Sequence, residues 1–157
     1  MALWEQADIP GFVALLREDA WFTMPPLPVW YQGRAAISTV LATYIFTPGR
    51  KRRLLPRHAN GCPAFGLYQC EPGAEDYQLL GLIVLGIEGE QVASLVAFLD
   101  PSILSHFDLP STLAPNSSQI KANFSLVQFL ISYERNSSIL GNIGIISANQ
   151  ALWHEVF

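Results

Sequence analysis

The sequence predicts an α+β fold in which N-terminal helices pack on a curved, mostly antiparallel sheet. Two segments before residue 45 space their apolar residues three and four apart, the period of a helix with one buried face. From residue 50 onward the pattern changes to extended runs separated by turn residues: Asn60-Gly61, Pro72-Gly73 and Glu88-Gly89-Glu90. Helices first and hairpins afterwards segregate helices to one face of an antiparallel sheet. A strongly curved sheet under helices leaves a cone-shaped hollow, so an apolar pocket is expected.

Met1–Gln6 reads as the end of a helix with no cap before it. Asp8 is a candidate N-cap with Pro10 in the first turn, and the helix is expected to run to about Arg17, burying Phe12, Val13, Leu15 and Leu16. Glu18-Asp19 reads as a surface turn. A short strand, Ala20–Met24, then leads into a proline-braced aromatic turn ending at Gly33. Arg34–Tyr44 is the next helix, with Ala36, Ile37, Val40, Leu41 and Tyr44 on one side.

Arg50–His58 is a basic strand candidate interrupted by Pro56. Asn60-Gly61 supplies the two residues with positive φ that a tight hairpin turn needs. Ala64–Cys70 is its partner. Tyr77–Ile87 is apolar on both faces, as a central strand is, and Gln91–Leu99 returns beside it. Asp100-Pro101 closes that strand and opens a helical turn over Ser102–Phe107. After Pro110 the composition shifts: five of the six asparagines and few charges fall in Ser111–Phe157, where Ile120–Tyr133 is a helix candidate and Ile139–Ile146 a glycine-broken apolar run.

Composition narrows the function. Only 14% of residues are charged, against about 25% in an average domain, so the surplus apolar surface is expected to line a cavity or an interface between copies. A net charge of −4 argues against direct nucleic-acid binding by the whole chain. No apolar run approaches membrane-spanning length and no secretory leader is visible; two thiols that cannot pair fit a reducing, cytoplasmic setting, so that location is expected. Cys62 and Cys70 stand eight extended steps apart on one strand, too far to bridge. They read as small buried hydrophobes. No spacing of His, Cys, Asp or Glu suits a metal, and no cofactor motif occurs.

Three stretches resemble one family: MPPLPVWYQGR at 24–34, the ANG-PAF pattern at 59–65 and AFLDP at 97–101. They are similar to the SnoaL-like domain, a cone fold of the nuclear-transport-factor-2 (NTF2) type, found at the C-terminus of extracytoplasmic-function sigma-70 family RNA polymerase sigma factors. The resemblance covers residues 1–113 and leaves 114–157 as a C-terminal extension. The family's first helix is longer, so the chain is expected to begin part-way through it, and to lack the promoter- and polymerase-binding regions that precede this domain in such sigma factors. The family has arginine and glutamine where this chain has His58 and Cys62.

The resemblance also implies a test for catalysis, because the cone fold houses ketosteroid isomerase and polyketide cyclases. Those enzymes need a carboxylate base and donors for an enolate. The isomerase's base falls on Met24, its oxyanion tyrosine falls before Met1, and its second acid falls at Leu82-Ile83. The expectation is therefore a non-catalytic regulatory or ligand-binding domain. Its pocket is built from Trp4, Phe22, Met24, Trp30, Tyr31, Phe65, Tyr68 and Phe98, and it takes a small apolar ligand. Simple core packing is the competing reading of those rings.

The alternative function is a small SnoaL-like enzyme acting on a hydrophobic carbonyl compound, with Asp100 or His58 as acid/base; each has a plainer reading, as a helix cap and a strand histidine. Arg50–Arg53 with Arg57 holds five of nine basic residues. It reads either as a contact for nucleic acid or a sigma-factor region, or as a solvated edge strand kept from pairing by its charge; in a full-length context the resemblance implies sigma-factor regions or RNA polymerase as partners of the domain. A homodimer through the outer face of Tyr77–Leu99 is the third reading.

Overall fold

The computed structural model describes residues 2–115. One seven-stranded mixed sheet, curved and unclosed, carries the helices. The helices are α1 (Ala2–Glu5), α2 (Ile9–Ala14), α3 (Arg34–Val40) and α4 (Pro101–Leu104). The strands are β1 (Leu16–Thr23), β2 (Trp30–Gln32), β3 (Lys51–Ala59), β4 (Cys62–Cys70), β5 (Tyr77–Glu88), β6 (Gln91–Phe98) and β7 (Thr112–Leu113). Their order across the sheet is β2-β1-β6-β5-β4-β3, and every pairing is antiparallel except β1 with β6. The expected α+β cone with a mostly antiparallel sheet is what the described residues form.

Local chemistry explains most elements. Asp8 caps α2 by accepting the Gly11 N–H at 3.0 Å. Asn60 and Gly61 take φ of 51° and 75°, and β3 and β4 pair in unbroken register from Lys51↔Cys70 to Ala59↔Cys62. Pro56 does not break β3. The strand is at the sheet's edge, where a residue without an N–H is tolerated. β5 is central, as its apolar faces require. Near its start β7 takes up the place beside it that β6 has vacated, pairing Tyr77 with Leu113.

Four expectations are corrected. The helix at Asp8 ends at Ala14, not Arg17, because Leu16 already pairs with Val92 of β6 and its carbonyl accepts the Arg34 guanidinium. Glu18 and Asp19 are therefore not a surface turn: they are exposed residues within β1, at the irregularity between Leu16 and Trp21. The aromatic turn contains a strand, β2, held by pairing of Phe22 with Tyr31. The helix from Arg34 turns into a wider π-type turn over Leu41–Ile45, closed by the Phe46 N–H on the Leu41 carbonyl at 2.7 Å. The readings for Ile120–Tyr133 and Ile139–Ile146 lie outside the described residues.

Register assigns the two faces of the sheet. Alternation places Phe22, Leu95, Leu85 and Phe65 on the concave side. Thr23, Val96, Val84 and Ala64 take the convex side. The segment after β6 folds back on the convex side, where Leu104 packs with Ala64 and Leu82, flanked by Phe98, Phe107 and Leu109. Arg57 ties this strap down, donating to the carbonyls of Phe107 at 3.0 Å and Asp108 at 2.9 Å. Part of the outer face expected to meet a second copy is thus covered by the chain itself.

Candidate functional site

A cavity of about 180 Å³ lies on the concave side. Phe22 and Met24 on and just after β1, Leu67 and Gln69 on β4, and Ala97 and Leu99 on and just after β6 line it. Trp4 closes one side, its ring edge-on to Phe12 at 5.3 Å and to Phe46 at 4.9 Å. The π-type turn contributes Tyr44 and Ile45. Tyr44 is 69% exposed and Leu80, the extra residue at the β4–β5 irregularity, is 49% exposed, so these two mark the mouth.

Two arginines give the lining its charge. Arg50, exposed, donates to Glu71 at 3.0 Å, and Gln69 donates to the other oxygen of that carboxylate at 2.7 Å. Those hydrogen bonds, Gln69's foremost, hold Glu71 below the usual carboxylate range. Arg52 is buried, only 9% exposed. It donates to the carbonyls of Arg50 at 3.1 Å, Ile45 at 2.6 Å and Thr47 at 3.3 Å, and its guanidinium sits 5.0 Å from the Phe46 ring centre. Burial, and then the neighbouring Arg50 charge, push its pKa down. The expected solvated edge strand is corrected here: β3 is an edge, but the alternation that buries Leu54 also buries Arg52. Arg53 and Arg57 are committed as well, to the carbonyls of Ala114 and Pro115 and to those of the strap.

Of the residues the sequence named for a pocket, Trp4, Phe22, Met24 and Tyr68 border this cavity. Tyr68 does so with a qualification. Its side chain belongs to the opposite face from Leu67 and Gln69, packing with Cys70, Tyr77 and Leu113, and its hydroxyl donates to the Pro110 carbonyl at 2.8 Å. Burial raises that hydroxyl's pKa, with Arg57 pulling the other way. Tyr31 and Phe65 are on the concave side without bordering the cavity; Tyr31 packs against Phe22 with ring centres 6.3 Å apart. Phe98 is on the convex side under the strap, and Trp30 is 76% exposed beside Thr23. Tyr44, Ile45, Arg50, Arg52 and Gln69 went unnamed as pocket residues. The period-two alternation of β3 and β4 was the available signal for Arg52 and Gln69; the π-type turn has none.

The acid/base candidates stand elsewhere. Asp100 caps α4, accepting the Ser102 N–H at 2.9 Å and the Ser102 hydroxyl at 2.8 Å, and these bonds hold its pKa low. His58 is an exposed residue paired with Pro63 near the hairpin turn. Neither borders the cavity, and among the described residues no carboxylate or imidazole does. Cys62 and Cys70 are free thiols, and burial pushes Cys62 up, away from the reactive thiolate. Among the described residues no group of His, Cys, Asp and Glu could hold a metal ion, and no helix is long and apolar enough to cross a membrane.

Solved structures share this architecture. An NTF2-like protein of unknown function from Mesorhizobium loti matches with TM-score 0.50 and 12% identity, covering 63% of this chain and 83% of its own. A Kribbella flavida protein provisionally described as a ketosteroid isomerase matches with TM-score 0.51 and 15% identity, covering 79% and 83%. The described residues have the NTF2-like fold. At these identities the likeness concerns the fold alone. In sequence, the chain is 37% identical over 116 residues, 72% of its length, to the ECF RNA polymerase sigma factor SigG of Mycobacterium tuberculosis. It spans 30% of that relative's length. No family model matches the chain.

Proposed function

We propose that the SnoaL-like domain is a non-catalytic ligand-binding and regulatory module, of the kind carried at the C-terminus of sigma-70 family sigma factors. The observation that carries this reading is the cavity wall. By the resemblance Met24 takes the place of the isomerase base, and the polar side chains that border the hollow, Arg50, Arg52, Gln69, Tyr44 and Tyr68, include no carboxylate or imidazole to act as a general base. Such a wall binds and orients; it does not enolise a ketone. The similarity to a sigma factor supplies the context, and a cytoplasmic location goes with it. Ligand occupancy would alter which surface the domain offers to sigma-factor regions or to RNA polymerase.

The test has two arms. Purified protein should leave hydrophobic ketones of the isomerase and cyclase type unchanged, and when added to a sigma-factor holoenzyme it should alter promoter-complex formation. Ketone turnover that disappears in Asp100→Asn or in a His58 variant would establish the enzyme reading instead. Promoter complexes indifferent to the protein, with and without ligand, would remove the regulatory one.

A further inference from the structure

Arg52 is an unusual wall for an apolar hollow. A guanidinium carries five N–H donors and keeps its charge in proteins. Three hydrogen bonds go to the Arg50, Ile45 and Thr47 carbonyls, so two donors have no acceptor among the described residues. Its acceptors are all neutral. The carbonyl ends of the π-type turn and the Phe46 ring offset part of the cost of burying the cation. Among the described residues no carboxylate lies within ion-pair reach: Glu71 is held by Arg50 and Gln69, and Glu5 accepts the Leu54 N–H. Buried charges are ordinarily paired, and here no described side chain pairs it while an open cavity adjoins it.

Size constrains the partner. An apolar protein cavity of about 150 Å³ accommodates one benzene, and this one is about 180 Å³. Trp4, Phe22, Met24 and Leu67 supply apolar walls at one ring's scale, and Tyr44 and Leu80 leave the way in. We propose that the cavity binds a small hydrophobic carboxylate of about the size of benzoate, with its ring against Trp4 and Phe22 and its carboxylate facing Arg52. The proposal rests on the ligand-binding reading above and narrows it from an apolar ligand to an anionic one.

Benzoate, benzyl alcohol and acetate, titrated into the full chain by calorimetry at neutral pH, separate the parts. Benzoate should bind at least about tenfold more tightly than benzyl alcohol, the gain expected of one charge-assisted hydrogen bond, and acetate should bind more weakly than both. In Arg52→Gln the preference for benzoate should vanish while benzyl alcohol still binds. Should that variant fail to fold, the wild-type ranking alone decides. Equal binding of benzoate and benzyl alcohol overturns the proposal and leaves the ligand-binding reading standing. Acetate as tight as benzoate shows a bare anion site and overturns it too. Binding of none of the three removes both.

Discussion

Thr23 shows how a single residue can be at odds with its surroundings. It is 4% exposed on the convex side, beside Trp30 and Val96, and its hydroxyl has no hydrogen-bond partner among the described residues. A buried hydroxyl left unpaired carries its desolvation cost of about 1–3 kcal/mol with nothing to offset it. Thr23→Val removes the polar atom and keeps the branched shape, so it should raise stability by about 1 kcal/mol in urea unfolding; a loss would mean that the hydroxyl has a partner, such as a bound water. Nothing in the sequence marks Thr23, since its pairing depends on strands far away in the chain. Residues whose chemistry is local were easier to read. Asp8 and Asp100 cap helices because Asp followed by Pro two or fewer places on favours that start, and both do so. The two cysteines are unbridged because one strand keeps its ends apart. Arg52 was hidden in a basic run, where charge suggested solvent and only the alternation with Leu54 pointed inward.

At the scale of elements, long-range pairing overrode local pattern. Leu15 and Leu16 fit a helical stripe, yet Leu16 belongs to β1 because β6 is there to pair with it. β2 is three residues among prolines and exists only through β1. The hairpin at Asn60-Gly61 needed no distant partner to be legible. Helix α4 offers a test of its own. Ser102's hydroxyl and N–H depress the Asp100 pKa in the folded chain. A group with a depressed folded pKa contributes stability above its unfolded pKa, near 4, and loses it as pH falls through the folded value. Asp100→Asn keeps a capping oxygen without a titrating charge. Its unfolding midpoint should therefore fall less steeply than the wild type's below about pH 4, measured by circular dichroism across pH. Parallel acid limbs would assign the depression no part in stability. Since the side chain is exposed, the effect should be small.

For the molecule as a whole, the question is why a domain with so apolar a composition leaves a hollow of about 180 Å³. Protein interiors normally pack without such voids, and an empty one costs the contacts its walls forgo. If the hollow were a packing defect, filling it would be a gain with no loss. Ala97 gives the cleanest access: it is 4% exposed, on the central β6, and borders the cavity. Ala97→Leu adds three carbons facing the open space, so it should leave stability within about 1 kcal/mol of wild type or raise it. The same change should abolish benzoate and benzyl alcohol binding, because the space for a ring is gone. A domain that becomes no less stable and loses its ligand is one that keeps its cavity for a purpose, the usual exchange between stability and function. Marked destabilisation would instead mean that the walls are rigid and already filled, and retained binding would place the ligand somewhere other than this concave hollow.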